Sequence, residues 1–576
     1  MKSLKIIVSL FFSMFSVVDS SLVIPIPLTC NVFRNCTSTL NAAILSCVGE
    51  PFCTISLSAG EYALEGKAFT SLITINGAIN LAIIGAGDST VLIANDIGTF
   101  FAIDGGSNIS LSSFAADMKR QPYTYGIVTA STATANGGTA STITFDTNDY
   151  PIDVTQYQWL QTAQGLMGWD PILRHPSLDG LDIYGTFSVT YPPSAPGTLV
   201  VVAPFLPLNE HVILRHQIYA YNFVSAEIVS GIAFTNITLY STAGMGFFTS
   251  RCSDVSLTGT RIVRKDSRPM SITADGAHIQ DTQGGAVTFK GCTFEAQGDD
   301  GINTPTTFQD IVSYDSVTKN AFQVGGRNAP IERPLFGSND TVNFYNRSSM
   351  ALLGSAIVAS IDNNNTVHLS AGSIVPFGAG LYTLVLSPRN FADYVEITDC
   401  VFRANRARGA LVKSSHAYIA RNLFQGVSMS GIKTETDGCY WFEGRPVTNW
   451  TAINNTFDSC NYWGRESSGL GDISIDNSVP INDAAGVPTT KCVHFMDSSM
   501  SEVQHNLTIS GNLFISAFNQ SSMTIWSVYG LNITDNTVTT VTGAPHVAVP
   551  IIGYGVVNSI AINNICDGIP CKTVGV

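Results

Sequence analysis

A short frame returns along this chain: Val287-Thr-Phe-Lys-Gly-Cys292-Thr-Phe294 comes back as Val395-Glu-Ile-Thr-Asp-Cys400-Val-Phe402. It recurs from Ala417 to Phe424, from Thr451 to Phe457 with one residue fewer before its Asn, from Leu507 to Phe514 and from Leu531 to Val538. Each unit is a short alternating strand, a Cys or Asn at a turn, then another large apolar residue. Asn422 follows Cys400 by 22 residues, and Asn536 follows Asn512 by 24. A turn residue fixed at this period is what stacked β-coils require, because every coil adds one rung to a parallel sheet. Asn side chains at equivalent turns can hydrogen-bond along the axis as a ladder. Cys292 and Cys400 share that position and are expected to be buried, stacked thiols. Leucine-rich repeats have a similar period, but their Leu-x-x-Leu-x-Leu pattern is missing. Helical repeats would space apolar residues by three and four, whereas these alternate by two. The expected fold is all-β: a right-handed parallel β-helix.

Two segments break the rhythm. Residues 125–207 carry their own strands, with turns at Asn136-Gly-Gly and Pro192-Pro-Ser. Residues 305–390 separate the Cys292 and Cys400 coils and contain strand-like runs at Val342-Asn-Phe-Tyr, Ala356–Ile361 and Leu381–Leu386. Loops of that length without secondary structure are uncommon, so each is expected to be an inserted small β subdomain. The chain then divides into a leader (1–20), a first stretch of coils stapled by disulfides (21–124), the first insertion (125–207), the coils with the candidate site (208–304), the second insertion (305–390) and the remaining coils (391–576).

Lys2 and Lys5 precede an apolar run from Ile6 to Val18, with small residues around Asp19-Ser-Ser, the pattern of a secretory signal. No later segment is long and apolar enough to span a membrane. The 12 cysteines suit an oxidising compartment. So do Asn-x-Ser/Thr sequons at Asn35, Asn108, Asn236, Asn339, Asn346, Asn364, Asn449, Asn454, Asn506, Asn519 and Asn532, though so Asn- and Thr-rich a chain supplies several by chance. Cys30, Cys36, Cys47 and Cys53 are expected to staple the start of the mature chain, in a pairing left open, and Cys566 and Cys571 to close a small loop. A secreted or extracellular location follows. With a net charge of −14 and no basic patch, nucleic acid and anionic membranes are poor partners.

The candidate chemistry lies in Ala274-Asp275-Gly-Ala-His278 and Gly298-Asp299-Asp300-Gly301-Ile-Asn303. Asp299 follows Asp275 by about one coil, and equivalent residues on adjacent coils are about 5 Å apart. Three carboxylates would then crowd one patch of wall. Gly298 and Gly301 permit a turn or bulge that aims both neighbours at one site. Like charges this close raise at least one pKa, giving a proton donor beside an ionised base, which glycosidic hydrolysis needs. The plainer reading of Gly-Asp-Asp-Gly is a surface turn; the second Asp one coil earlier favours a site. Asn405-Arg406-Ala-Arg408-Gly409 holds nearly the same offset after Cys400. If the second insertion loops out, Arg406 or Arg408 stands beside the aspartates, binding sugar hydroxyls or forming a structural ion pair. Glu435, Trp441 and Glu443 fall in a long turn of the next coil, where Trp can stack on a sugar, although a buried Trp and solvated Glu are commoner. His278 reads as a hydrogen-bonded wall residue. No zinc spacing, phosphate loop or Ser-His-Asp frame is present, so no cofactor or metal is expected.

At these residues the chain resembles glycoside hydrolase family 110, the α-1,3-galactosidases. The likeness runs from about Asn209 to Asn461 and rests on Gly244-Met-Gly-Phe-Phe, Ala274-Asp275-Gly, Gly298-Asp-Asp-Gly-Ile-Asn303, Asn405-Arg-Ala-Arg-Gly409 and Trp441-Phe-Glu-Gly-Arg-Pro-Val447. The Asp then Gly-Asp-Asp arrangement is also similar to family 28 polygalacturonases. The resemblance implies metal-free removal of terminal α-1,3-linked galactose with inversion, with Asp275, Asp299 and Asp300 as the catalytic carboxylates; Arg406, Arg408, Glu435, Trp441 and Glu443 are the residues expected from their chemistry and position to bind substrate. One departure stands out: the family continues from Asp-Asp-Gly-Ile-Asn into Val-His-Gly, where this chain has Asn303-Thr-Pro305. The Gly-His-Gly of polygalacturonases is also missing. Two other readings stay open. A β-helix polysaccharide lyase or polygalacturonase would act on acidic glycans, which favour basic clefts. A non-catalytic secreted glycan-binding protein could keep the fold without the chemistry.

Overall fold

The computed structural model describes residues 22–26, 35–134, 138–326, 331–376, 378–463, 471–483, 488–494, 503–516, 521–542 and 550–576. The expected leader, Cys30, Asn519 and the Asn136 turn lie outside them. Three walls of parallel strands wind around one apolar core. The first wall runs through Ser253–Thr258, Ala286–Lys290, Tyr394–Thr398, Ala417–Ala420, Thr448–Ile453, Gln504–Ser510 and Val528–Thr534. The second runs through Arg261–Ile262, Thr293–Glu295, Val401–Arg403, Leu423–Gln425, Thr456–Asp458, Leu513–Ser516 and Thr537–Thr540. The third runs through Val224–Glu227, Phe247–Ser250, Ala277–Gln280, Ile302–Asn303, Ala410–Leu411, Ile432–Asp437 and Ile473–Asn482. The parallel β-helix expected from the repeat is therefore present.

The repeat's turn position explains how one wall bends into the next. The residue before each ladder position has φ in the left-handed region: Gly259, Gly291, Asp399, Arg421, Asn454, Gly511, Asp535 and Asn563. Gly, Asn and Asp accept that conformation most easily, which accounts for their recurrence there. Behind the bend the ladder is continuous. The Cys292 backbone N–H donates to Cys400 Sγ at 3.4 Å and that of Cys400 to Asn422 Oδ1 at 2.8 Å. Amide to amide, Asn422 donates to Asn455 at 2.9 Å, Asn455 to Asn512 at 3.1 Å and Asn512 to Asn536 at 2.9 Å. Asn536 extends the ladder to Asn564 at 2.9 Å. Two residues on, Phe294, Phe402, Phe424, Phe457 and Phe514 stack with centroid gaps of 5.2, 4.7, 5.0 and 4.8 Å. Each ring is fully buried, a gain of about 1.5–3 kcal/mol apiece.

The helix Thr37–Cys47 caps the first coils with Leu40, Ala43, Ile44 and Cys47. Cys47 is bonded to Cys53, Cys439 to Cys492, and Cys566 to Cys571. No helix among the described residues is long and apolar enough to cross a membrane.

Both interruptions are β structures. The first is a seven-stranded antiparallel sheet from Tyr123–Ala133 to His211–Arg215. It extends past Pro207 because His211–Arg215 pairs on both sides within it, with Tyr123–Ala133 and Thr162–Asp170. The second is a closed antiparallel barrel of six strands between Gln309 and Leu386. It loops out cleanly: Ile302 pairs with Ala410, and Val287 with Val395, as if adjacent in the chain.

Candidate active site

Asp275, Asp299–Asp300 and Arg406–Arg408 occupy the bend between the second and third walls on three successive coils. Register requires this, since Ala277 pairs with Ile302 and Ile302 with Ala410, each two residues beyond Asp275, Asp300 and Arg408. Glycine follows each of those three. A Cβ on Gly276 would lie 2.5 Å from Gly301 O, one on Gly301 2.4 Å from Gly409 O, and one on Gly409 2.5 Å from Gly431 O. Each would also press on the phenyl stack, at Phe294, Phe402 and Phe424 respectively. The glycines thus serve close approach between coils, and Gly298 and Gly301 have no left-handed φ. Asp299 and Asp300 escape strand alternation because they lie in this bend, between Thr293–Glu295 and Ile302–Asn303.

Oxygens of all three carboxylates lie within 4.8 Å of one another. They line a cavity of about 620 Å³ with Tyr184, Tyr219, His278, Asn303, Arg406, Arg408, Tyr440, Trp441 and Glu443, a size usual for a ligand pocket. Asp299 Oδ1 receives Arg406 Nη1 at 2.7 Å, and its Oδ2 receives the hydroxyls of Tyr219 and, at 3.3 Å, Tyr184. Asp300 Oδ1 accepts from the Arg408 backbone N–H at 2.9 Å and lies 3.1 Å from Arg408 Nε. Asp275 Oδ2 is 2.7 Å from His278 Nδ1.

These surroundings split the protonation states. Burial pushes Asp300 up to about 8, helped by Asp299 and Asp275 against Arg408. Burial also pushes Asp299 up, but Arg406, Arg408, Tyr219 and Arg215 outweigh it and hold Asp299 below the ordinary carboxylate range. Asp275 is raised by burial, with His278 pulling the other way. Three oxygens this close could be bridged by a cation. Arg406 and Arg408 already supply positive charge to Asp299 and Asp300, so the arrangement fits a metal poorly.

Of the residues picked out in the sequence, Asp275, Asp299, Asp300, Arg406, Arg408, Trp441 and Glu443 line the cavity. Glu435 is not among its lining residues. It lies on the strand Ile432–Asp437, in register with Asp476 and 3.3 Å from Lys433 Nζ; the turn begins only at Gly438. Glu443 is gripped by Lys413 Nζ at 3.0 Å and Asn303 Nδ2 at 3.4 Å. Burial raises its carboxyl, but Lys413 and His278 outweigh that and keep it below the usual range. Its loop is held by Asp437, which accepts the N–H groups of Cys439, Tyr440 and Trp441 at 2.7–2.8 Å, and by the Cys439–Cys492 disulfide.

The first insertion supplies what sequence reading missed. Arg406 is clamped to Asp182 at 2.8 Å and lies 4.9 Å from the Tyr184 ring centre, while Arg215 lies 4.7 Å from that ring and donates to Gly298 O at 2.9 Å. No motif marks Asp182, Tyr184 or Arg215, which come from a non-repeating segment folded over the bend, or Tyr219, which follows the last strand of that segment.

No family model matches the chain. Alpha-1,3-galactosidase A of Shewanella woodyi is 29% identical over 240 residues, 41% of this chain and 39% of that protein. Alpha-1,3-galactosidase B of Bacteroides thetaiotaomicron is 23% identical over 429 residues, 69% of this chain and 66% of that protein. This chain is a relative of the α-1,3-galactosidases. It spans less than two thirds of the length of either relative. Among solved structures, the Agl-KA catalytic domain is 12% identical with a TM-score of 0.47, covering 97% of this chain and 68% of that one. A family 28 exopolygalacturonase of Yersinia enterocolitica is 11% identical with a TM-score of 0.39, covering 94% and 78%. Those two likenesses are too loose to bear on the site's chemistry.

Proposed function

We propose that this protein is an exported glycoside hydrolase that removes terminal α-linked galactose from glycans, in the manner of the α-1,3-galactosidases it resembles. The observation that carries the reading is the trio's geometry: three carboxylates from two successive coils, with oxygens within 4.8 Å of one another, in a cavity of ligand size; burial pushing Asp300 up while Arg406 and its neighbours hold Asp299 down supports it. Asp300 is the group able to donate a proton at neutral pH, and it gives that proton to the glycosidic oxygen as the bond to the anomeric carbon breaks. Asp275 takes a proton from water as its oxygen attacks that carbon. Asp299, with both oxygens occupied by Arg406 and the two tyrosines, is a poor base; it stabilises the positive charge that develops on the sugar ring. Arg408, Trp441 and Glu443 are positioned to engage hydroxyls and a ring face. The trio's nearest oxygens are closer than the roughly 6.5–9.5 Å gap usual for an inverting pair, so inversion rests on the family likeness.

The test is turnover of an α-1,3-galactosyl oligosaccharide by the wild type and by Asp299→Asn and Asp300→Asn. Each variant is expected to lose about 10²–10⁴-fold in kcat, with β-galactose as the first anomer released by the wild type in proton NMR. Wild-type turnover in both variants would end the catalytic assignment.

A further inference from the structure

His278 lines the cavity but takes no part in the reaction scheme above. It lies on the third-wall strand Ala277–Gln280 between Ala277 and Ile279, which point into the core, so alternation turns its imidazole outward into the cavity. Its strand neighbours in register are Phe248 and Asn303. The Phe248 ring stacks on the imidazole with centroids 5.8 Å apart and planes 28° apart, which fixes the ring's orientation. With the imidazole so held, Nδ1 meets Asp275 Oδ2 at 2.7 Å. Glu443, anchored by Lys413, supplies a second negative charge facing the same imidazole.

We propose that His278 is the positioning residue of the hydrolytic base: its Nδ1–H holds one oxygen of Asp275 so that the other is presented to the attacking water. This rests on the reading of Asp275 as the base. The charged groups facing His278 are Asp275 from its own coil, Glu443 from the loop above the site and Lys413 from two coils further on. Burial lowers the affinity of His278 for a proton, but Asp275 and Glu443 outweigh it and raise its pKa above the usual histidine range. The ring therefore remains a donor. In return, its hydrogen bond opposes the burial that would otherwise protonate Asp275. The arrangement has the logic of an oriented acid–base pair, in which a third group fixes the geometry of the one that moves the proton.

The experiment compares full-length wild type, His278→Ala and His278→Asn on the α-galactoside that the wild type hydrolyses. His278→Ala is expected to lower kcat about 100-fold with KM within threefold of wild type, and to move the acid limb of the kcat/KM profile to higher pH. His278→Asn, whose amide N–H reaches close to the Nδ1 position, is expected to recover about tenfold of that loss. An unchanged acid limb in His278→Ala would overturn the proposal. So would equal losses in the two variants with KM raised, which would make His278 a substrate contact. A wild type inert on every α-galactoside tried would overturn the hydrolase reading itself, a result distinct from either.

Discussion

Asp299 and Asp300 are chain neighbours in one buried bend, yet their surroundings drive them to opposite charge states. Asp299 meets a guanidinium and two phenols; Asp300 meets one arginine and two other carboxylates, and burial prevails. If Asp300 is the acid, kcat/KM declines as pH rises through about 8, because its proton is held below that value and lost above it. A pH-rate profile checks this, and a level plateau well past that pH would contradict it. The trio was legible in the sequence as Asp-Gly and Gly-Asp-Asp-Gly one coil apart. Which member carries the proton was not, because Tyr219 and the Asp182 clamp on Arg406 come from segments distant in the chain. Glu435 illustrates the converse: its acidic neighbours in sequence looked like a loop, but strand pairing with Asp476 carried it away from the cavity.

The coil is the element in which small and large side chains must alternate. Gly276, Gly301 and Gly409 leave room for the carbonyl of the next coil, and the phenyl stack fills the core beside them. Gly301→Ala places a methyl 2.4 Å from Gly409 O and 2.6 Å from Phe402 Cδ1. Overpacking of this kind costs about 1–3 kcal/mol. The expected outcome is a lower Tm and, because Asp300 precedes the displaced residue, a loss of activity larger than the loss of stability explains. An unchanged melting curve would show that the coils can part. The Asn ladder and buried thiols were readable from the repeat, since each depends on one residue type at one turn. The glycine column recurs coil by coil, but turn chemistry offered a local explanation for Gly301 and concealed the spacing constraint between coils.

At the scale of the whole molecule, the first insertion must stay seated for the cavity to exist, since it brings Asp182, Tyr184 and Arg215. A buried histidine lies at its root. His216 Nε2 is 3.0 Å from Thr124 Oγ1 and Nδ1 is 2.7 Å from Thr162 O, and burial lowers its pKa to about 3. The unfolded chain binds this proton near the ordinary histidine value of about 6.5, whereas the folded protein refuses it. Stability is therefore full above that pH and falls as pH drops toward 3, by at most about 1.4 kcal/mol per unit. His216→Gln removes the titration, so its Tm is expected to fall less steeply than that of wild type between pH 6.5 and pH 4. Parallel melting profiles would place the acid sensitivity elsewhere.

Period and alternation act between residues close in the chain or one coil apart, so the β-helix, its ladder and the alignment of the acidic bends could be read from the amino acids alone. The cavity's far side could not. It is made where a non-repeating sheet brings Asp182, Tyr184 and Arg215 back over the bend; Trp441 and Glu443 were marked as candidates in the sequence, but the place of their stapled loop beside the cavity was not. Contacts of that kind join segments with no common interval between them, and only packing of the finished chain selects them.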